Sequence, residues 1–268
     1  MIFDGILKKM RSEVSESGDV SYFLSAHNDE SDILLNERLG KKITMRFHGV
    51  ISCVSCGKKT KKAYQQGFCF LCAQSRPEAD LCQVRPELCH FAKGTCRDSD
   101  WGKNHCFIPH TVYLALSSGL KVGITRTRNR MSRWVDQGAV SAVPVGQVSN
   151  RLDAGNAEVA LKKMFSDKTN WRAMLKNEVD EVNLSRARLK ALGALPSSVE
   201  IMSDTLKNPV SFKYPVLEYP KKIISLNFDK CADVQGELLG IKGQYLILDS
   251  GVLNIRKFSG YHVSVEHS

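Results

Sequence analysis

A tyrosine and a run of arginines are the first residues whose types and spacing could do chemistry. Tyr113 lies in the first of two β-rich runs, Thr111–Leu116 and Leu120–Thr125, which a Ser-Ser-Gly turn joins as a tight hairpin. A basic helix is predicted directly afterwards, because residues 129–137 contain no Gly or Pro and a glycine follows them. A phenol beside guanidinium groups is typical of a site that handles a phosphodiester.

The chain presents Val112-Tyr113, then Gly123, then a helix that carries arginines. In this order of features, the segment from about residue 108 to 175 resembles the core of the GIY-YIG nuclease family. The resemblance implies that Tyr113 is the first of the two tyrosines of that family. Lys121 stands where the second tyrosine would be. The whole chain also resembles a bacterial protein family that joins a cysteine-rich part to a GIY-YIG-like part, a likeness that implies no function.

The resemblance further assigns an arginine and a glutamate. It implies that the catalytic arginine is Arg133 or Arg130, and that Glu158 holds a divalent cation such as Mg²⁺ or Mn²⁺. The expected reaction is hydrolysis of a phosphodiester, in which tyrosine relays a proton and arginine neutralises the charge that grows on the phosphoryl oxygens. Lys121 would add a further positive charge to the phosphate, and could act as a proton relay only if its pKa were strongly lowered.

Glu158 also has an interpretation that is independent of the resemblance. A helix is predicted from Asp153 to about Phe165, with Asn156 as its N-cap, and Glu158 lies at the edge of the apolar stripe of this helix. A carboxylate at that edge can face a cleft. The alternative is that Glu158, in the first turn, only complements the helix dipole.

Eight of the nine cysteines fall between residues 53 and 106, and the first four form two C-x2-C pairs separated by twelve residues. Such paired spacings let four thiolates close a tetrahedron around zinc, so a structural zinc ion is predicted on Cys53, Cys56, Cys69 and Cys72. Disulfides are the alternative, and a reducing compartment argues against them.

The second set, Cys82, Cys89, Cys96 and Cys106, has spacings of six, six and nine residues. It predicts a second metal centre, because proline and glycine interrupt the segment and leave it little core of its own. Zinc is the first candidate and a [4Fe–4S] cluster the second, since cluster spacings vary widely. The neighbouring His90 and His105 could replace thiolates as ligands. Cys231 stands outside both sets and is expected to be a small buried hydrophobe.

Composition indicates an ordinary globular protein with a basic middle. The chain has 268 residues, 43% of them hydrophobic, and no apolar run approaches a membrane span. The start shows no secretory pattern, so a cytoplasmic protein without membrane contact is expected. The formal net charge is +10, of which residues 51–150 carry +8. A concentrated basic region predicts a nucleic-acid partner, DNA or RNA, although a solvated lysine-rich face would look the same.

The elements that must position these residues suggest an α+β protein. We expect an N-terminal β segment over residues 1–52, a cysteine-rich, zinc ribbon-like module over 53–107, a GIY-YIG-like α/β domain over 108–195, and a C-terminal β segment over 210–268. Alternation in residues 42–52 predicts a half-buried strand. Glycines punctuate the last segment at barrel-like intervals, so the two terminal β segments are expected to form a small barrel together.

The leading hypothesis is therefore a nucleic-acid-binding, metal-dependent endonuclease of GIY-YIG type with one or two structural zinc ions. Its rival is a zinc-containing DNA- or RNA-binding protein whose nuclease site no longer cuts. A third hypothesis, an iron–sulfur redox protein, follows if the second cysteine set binds iron. What separates the first two is whether a divalent cation binds at Glu158 within reach of Tyr113.

Overall fold

The computed structural model of the chain describes residues 2–27, 32–202 and 208–267. The chain divides into two compact units, one formed by Met1–Gln74 with Lys213–Ser268 and the other by Ser75–Phe212. The division falls inside the cysteine-rich segment that the sequence suggests as one module. The first cysteine set therefore belongs to the first unit and the second set to the second unit.

The elements are numbered in chain order. The strands are β1 Phe3–Ile6, β2 Arg11–Val14, β3 Val20–Leu24, β4 Ile33–Leu34, β5 Lys42–Ser52, β6 Lys59–Thr60, β7 His110–Leu116, β8 Leu120–Arg126, β9 Ser141–Val148, β10 Glu200–Ile201, β11 Val210–Ser211, β12 Asp233–Lys242, β13 Tyr245–Leu248, β14 Gly251–Asn254 and β15 Tyr261–His267. The α-helices are α1 Phe70–Ser75, α2 Ser99–His105, α3 Arg130–Asp136, α4 Arg151–Leu161, α5 Trp171–Leu175 and α6 Leu184–Leu192.

The first unit contains a seven-stranded sheet with the order β1-β15-β5-β12-β13-β14 and β6 paired to β5, beside a three-stranded sheet β2-β3-β4. Strands from the two ends of the chain thus join in one sheet, since β5 pairs with both β12 and β15. Within the described residues no pairing connects β1 to β14. The closed barrel that the sequence indicates is therefore not found.

Strand β5 shows why the alternation of residues 42–52 is only partly regular. Ile43 and Met45 are buried as predicted. Gly49 then has a φ of +73°, and the register against β15 shifts in this part of the strand. A bulge of this kind inserts extra residues and changes which side chains face inward. Ile51 is buried after it, while Val50 is only half-buried.

The second unit is organised around a five-stranded antiparallel sheet with the order β10-β9-β7-β8, in which β11 also pairs with β9. One face of the sheet forms a core with α4 and α6, to which Val112, Leu114 and Val122 contribute. Because side chains alternate along a strand, Tyr113 and Lys121 point to the other face. Helix α3 contributes to that face, where Trp134 packs edge-on against Tyr113 at a centroid distance of 5.7 Å.

The helices of the second unit begin and end at recognisable residues. Helix α3 ends before Gly138, whose φ of +67° suits a residue after a helix end. Helix α4 begins earlier than predicted, because the side chain of Asn150 accepts a hydrogen bond from the Asp153 amide and caps it. The predicted cap Asn156 instead lies inside the helix. None of the described helices has the length and apolarity needed to cross a bilayer.

Candidate functional site

Tyr113 sits directly opposite Gly123 in the β7–β8 hairpin. A Cβ on Gly123 would come 2.6 Å from the Tyr113 hydroxyl oxygen, so only glycine leaves room for the ring. The side chain is fully buried, and its hydroxyl donates to Oε1 of Gln137 at 3.1 Å. Tyr113 is therefore locked between the hairpin and the end of α3.

The two candidate arginines of α3 are placed differently. Arg133 lies beside Tyr113: burial raises the pKa of the Tyr113 hydroxyl, and the nearby Arg133 guanidinium opposes that rise. Arg130 instead places its Nη1 4.0 Å from the sulfur of Met202. Of the pair, Arg133 is the residue whose charge acts on the other candidates, including Lys121 and Glu158.

Lys121 is a buried lysine, with only 5% of its surface exposed. Burial lowers the pKa of its ammonium group to about 8, and Arg133 adds to the decrease, whereas Glu158 and Asp167 oppose it. The backbone beside it is covered, because the Val122 amide donates to the Ser166 carbonyl at 2.8 Å. This bridge brings Asp167, the next residue, to the Lys121 end of β8.

Glu158 lies on α4 with 13% of its side chain exposed, next to Lys162 one turn further on. Lys162 Nζ lies 3.5 Å from Oε2 of Glu158 and 3.1 Å from Oδ2 of Asp167, so one ammonium group bridges two carboxylates. Burial raises the pKa of Glu158 while Lys162 opposes the rise. The hydrogen bond from Lys162 lowers the pKa of Asp167.

The structure thus brings Tyr113, Lys121, Arg133 and Glu158 together, although they come from four different elements. Sequence reasoning missed three further members of this cluster, namely Gln137, Lys162 and Asp167. With Lys121, Arg133 and Lys162 as cations and Glu158 and Asp167 as anions, the cluster carries a small positive excess. Such a place can receive a phosphate group, and the two carboxylates supply the hard oxygen ligands that Mg²⁺ or Mn²⁺ prefers.

His110, the first residue of β7, does not belong to the cluster around Tyr113. It is fully buried, its Nδ1 lies 2.7 Å from the Ile108 carbonyl, and burial lowers its pKa to about 4. The charged groups that act on it are Arg151, Arg126 and Cys89. Its Nε2 has no hydrogen-bond partner among the described residues. His110 therefore faces the second cysteine set as a neutral imidazole.

The first cysteine set forms a compact group in the first unit. The sulfurs of Cys53, Cys56, Cys69 and Cys72 all lie within 4.8 Å of one another, and those of Cys56 and Cys69 are 3.9 Å apart. Cys53 follows β5, and Cys72 lies on α1. Four thiols at these distances fit a single zinc ion, which needs its sulfur ligands about 3.8 Å apart at Zn–S bonds of ~2.3 Å.

The second cysteine set is less regular than the first. Cys82, Cys89 and Cys106 belong to one buried cluster, and together with Cys96 they line a single cavity. Among the described residues, the donor group here whose ligand atoms all lie within 4.8 Å of one another is Asp80, Cys82 and His90. The thiol of Cys89 also contacts the thiols of Cys82 and Cys106. Cys231, outside both sets, is exposed and donates to the Asp233 carbonyl at 3.1 Å, so the expectation that it is buried is wrong.

Two of the basic residues have structural partners. Arg126 donates to the His105 carbonyl at 3.0 Å. Arg188 is buried and donates to the Pro144 carbonyl at 2.9 Å, so it is not part of a basic surface. Exposed lysines lie instead in the loop between the two C-x2-C pairs: Lys58, Lys59, Lys61 and Lys62. The side chain of Lys62 lies over the Tyr64 ring, 5.4 Å from its centroid.

Comparison with known proteins gives a family. No curated protein matches the chain, and no solved structure matches it either. The family model described as "Protein of unknown function (DUF2797)" matches residues 40–263. This range contains both cysteine sets and the whole cluster around Tyr113. The chain therefore belongs to the DUF2797 family.

Proposed function

We propose that the second unit carries a nuclease site of GIY-YIG type, which hydrolyses phosphodiester bonds of DNA or RNA. The observation that supports this best is the convergence of four candidate residues: Arg133 acts electrostatically on Tyr113, Lys121 and Glu158 at once. They come from β7, β8, α3 and α4, in the order that the sequence resemblance implies.

Arg133 and Lys121 have different roles in this proposal. Arg133 neutralises the charge that grows on the phosphoryl oxygens as the bond to the leaving group breaks. Lys121, whose pKa of about 8 leaves part of the population neutral near physiological pH, accepts the proton of the attacking water. The raised pKa of Tyr113 keeps its hydroxyl protonated. Tyr113 is thus a positioning residue that holds Arg133 and Gln137 in place.

The carboxylates of Glu158 and Asp167 would hold Mg²⁺ or Mn²⁺. When bound, the ion would supply Lewis-acid polarisation of the phosphate. Lys162 must then release the two carboxylates that it bridges, and its ammonium group becomes available to pair with the nucleic acid.

The second candidate function is a non-catalytic DNA- or RNA-binding protein, and the position of Lys162 favours it. An ammonium group between Glu158 and Asp167 supplies the positive charge that a metal ion would otherwise supply. Tyr113 is fully enclosed, as a purely structural residue would be. In this case the cluster is a phosphate pocket and nothing is cut.

Cleavage assays separate the two functions. Duplex, branched and single-stranded DNA and structured RNA are incubated with Mg²⁺ or Mn²⁺, using the native chain and Glu158→Gln. The matched control is Glu178→Gln, because Glu178 is exposed and forms an ion pair with Lys176 of the same unit. The nuclease hypothesis predicts cleavage that Glu158→Gln abolishes and Glu178→Gln leaves intact. Tight binding without cleavage of any substrate supports the binding protein.

Lys162→Gln gives a second, independent comparison. If a metal ion must displace Lys162, removing the ammonium group lowers the Mn²⁺ concentration needed for half-maximal cleavage. If Lys162 permanently replaces the metal, the same change weakens binding of nucleic acid and produces no cleavage.

A further inference from the structure

Three side chains of different chemistry converge in the turns at the start of the second unit. A carboxylate oxygen of Asp80, the sulfur of Cys82 and a ring nitrogen of His90 all lie within 4.8 Å of one another. Asp80 precedes the 3₁₀ turn Leu81–Gln83, and its side chain accepts a hydrogen bond from the Cys82 amide at 3.0 Å. The Cys82 thiol is buried, and the side chains of Asp80 and His90 are only 14% and 26% exposed. Sulfur, imidazole nitrogen and carboxylate oxygen are the three ligand types that zinc takes in proteins.

The neighbours of His90 show which of its ring nitrogens is free to bind. Nδ1 of His90 lies 2.8 Å from the Thr95 hydroxyl oxygen, and this hydroxyl donates its own hydrogen to the His90 carbonyl at 3.4 Å. The hydroxyl therefore accepts a hydrogen bond from Nδ1, which carries the ring proton. Nε2 is left with a lone pair, 3.6 Å from Oδ2 of Asp80. Two electron-pair donors that face each other need a cation between them, and an imidazole held through its other nitrogen is typical of a metal ligand.

The carboxylate of Asp80 keeps room for a metal ion. Nε of Arg97 donates to Oδ2 at 2.8 Å, and the Cys82 amide donates to Oδ1 at 3.0 Å. Each carboxylate oxygen has two lone pairs, so one lone pair remains on each oxygen. Arg97 is an exposed residue and does not need to leave when a metal ion binds. The two hydrogen bonds instead hold the carboxylate in place, as the partners of metal-ligating carboxylates commonly do.

Cys89 supplies a fourth donor next to this group. Its thiol contacts those of Cys82 and Cys106, and all three cysteines are buried. The thiol of Cys96 donates to the Asp98 carbonyl at 3.2 Å, so it keeps its proton and is not a thiolate ligand. The cavity that these cysteines line encloses only about 10 Å³, which is room for one water molecule or one ion.

Basic side chains offset the charge of such a site. Two thiolates and a carboxylate bring more negative charge than one zinc ion neutralises. The Arg97 guanidinium pairs with Asp80. The Arg151 guanidinium lies against the turn of Cys82, where it donates to the Cys82 carbonyl at 3.2 Å and to the Gln83 carbonyl at 2.8 Å. Positive charge near the ligands favours the thiolate form of cysteine, which is the form that binds metal.

We propose that a second zinc ion binds in the second unit, on one carboxylate, one imidazole and two thiolates: Asp80, His90, Cys82 and Cys89. Four protein ligands close the coordination shell, so the ion has a structural role. It joins the turn Leu81–Gln83 to the turn Pro86–Leu88, which Cys89 follows. Cys106 lies outside the shell and contacts the Cys89 thiol from there. This assignment does not depend on the proposed nuclease activity.

X-ray absorption at the zinc edge tests the assignment on the native full chain, purified with added zinc. We expect about two zinc ions per chain, one with four sulfur ligands and one with two sulfur and two nitrogen or oxygen ligands. The averaged spectrum should then fit about three sulfur ligands and one nitrogen or oxygen ligand per zinc. An average of about four sulfur ligands, with no nitrogen or oxygen, would overturn the proposal whatever the zinc content.

Two substitutions remove single ligands with little change of shape. His90→Gln and Asp80→Asn should each lower the zinc content from about two ions to about one per chain and leave sulfur-only coordination at the remaining ion. Asn can still accept the hydrogen bond from the Cys82 amide, so the turn is retained. The matched control is His105→Gln, because Nδ1 of His105 lies 2.8 Å from the Trp101 carbonyl and this histidine is outside the ligand set. It should leave the zinc content unchanged.

Cys96→Ser separates this site from one made of four cysteines. A serine hydroxyl can donate to the Asp98 carbonyl as the thiol does, so both zinc ions should stay bound. Loss of one zinc ion in Cys96→Ser, with both ions retained in His90→Gln and Asp80→Asn, would show that the second site consists of cysteines alone. One zinc ion in the native chain, held by sulfur alone, would show that Asp80 and His90 form an ion pair around a proton. The native spectrum decides between these outcomes even where a variant fails to fold.

Discussion

Gly155 of α4 packs directly against the backbone of Glu87. A Cβ on Gly155 would lie 2.3 Å from the Glu87 amide nitrogen and 2.4 Å from the Pro86 carbonyl carbon. Glu158 follows Gly155 by three residues on the same helix. The turn that precedes Cys89 and the helix that carries the candidate metal ligand are therefore joined without any side chain between them.

Gly155→Ala should consequently disturb both places. The added methyl group would clash with backbone atoms of Pro86 and Glu87, which cannot move aside as the end of a flexible side chain can. Helix α4 and the turn before Cys89 must therefore separate. We expect a destabilisation of about 1–3 kcal/mol, as for overpacked cores, together with weaker metal binding by the second cysteine set. Thermal unfolding and metal analysis of the purified variant measure these effects.

Asn156→Ala is the matched control, because Asn156 is the exposed neighbour on the same helix. It changes helix composition without a clash and should leave metal content and stability within about 0.5 kcal/mol of the native chain. If Gly155→Ala behaves in the same way as Asn156→Ala, the close packing on Glu87 has no energetic importance.

The activity should depend on pH through Lys121. The pKa of Lys121 is about 8. At pH values below this, each increase of one pH unit raises the fraction of neutral Lys121 amine about tenfold. The cleavage rate should follow this rise and level off above about 8. The charged groups that face Lys121 are Arg133, Glu158 and Asp167. The pH profile of the cleavage rate is therefore measured on a chain that keeps all three. Lys121→Met should reduce the rate by about 10² to 10⁴ and remove the slope. A slope that persists in Lys121→Met would assign the proton acceptor to another group.

Stability should depend on pH through the same lysine. The pKa of Lys121 is lower in the folded chain, about 8, than its ordinary value of 10.5, so the unfolded chain binds more protons between these values. The free energy of unfolding should therefore rise as the pH increases from about 8 to 10.5, and the lysine costs about 3 kcal/mol below that window. Lys121→Met should stabilise the chain at pH 7. Chemical denaturation at several pH values measures this.

Lys242 provides an internal comparison in the first unit. Burial lowers its pKa to about 8 as well, so it contributes to stability in the same pH window. Only the difference between the native chain and Lys121→Met is assigned to Lys121. If the two chains show parallel curves of stability against pH, Lys121 is hydrated in solution and its pKa is ordinary.

The first cysteine set should bind structural zinc. Cys56→Ser leaves three thiols and should release about one zinc ion per chain, and the loop between the two C-x2-C pairs should lose its structure. Structural zinc contributes its binding free energy to folding, so the thermal midpoint of the first unit should fall markedly. Elemental analysis that shows no zinc in the native chain, with unchanged unfolding after chelation, would disprove the site.

Nucleic-acid binding should depend steeply on salt through the lysines between the C-x2-C pairs. Replacing Lys58, Lys59, Lys61 and Lys62 with Gln should reduce the slope of log affinity against log salt by about 0.7 to 0.9 for each lost phosphate contact. The control replaces four other exposed lysines of the same unit, Lys221, Lys222, Lys230 and Lys257. Equal loss in both variants would indicate attraction by net charge alone.

Local patterns of the sequence explain the hairpin and its helix. Two β-rich runs and the Ser-Ser-Gly turn between them predict β7 and β8 within one residue of their observed ends. Residues 129–137 and the glycine after them predict α3 equally well. These elements depend on neighbours in the chain, so their cause is visible in a short stretch of sequence.

Other features depend on distant residues, and the sequence pattern alone does not predict them. Lys162 and Asp167 join the candidate site because the backbone of Ser166 pairs with β8, a contact with no local pattern. The sequence pattern predicts Asn156 as the cap of α4, whereas the actual cap is Asn150, whose side chain accepts a hydrogen bond from the Asp153 amide. Glycine spacing predicts the turns of the terminal β segments, but it does not predict whether the end strands pair to close a barrel.

The pairing of Ser166 with β8 also protects the sheet. Strand β8 is the last in its sheet, and an uncovered edge strand offers free amide and carbonyl groups to other chains, which promotes aggregation. The segment after α4 occupies part of that edge, with the Val122 amide bonded to the Ser166 carbonyl. Changes in this segment therefore affect solubility as well as the position of Asp167, and a variant that lost it would be expected to aggregate through β8.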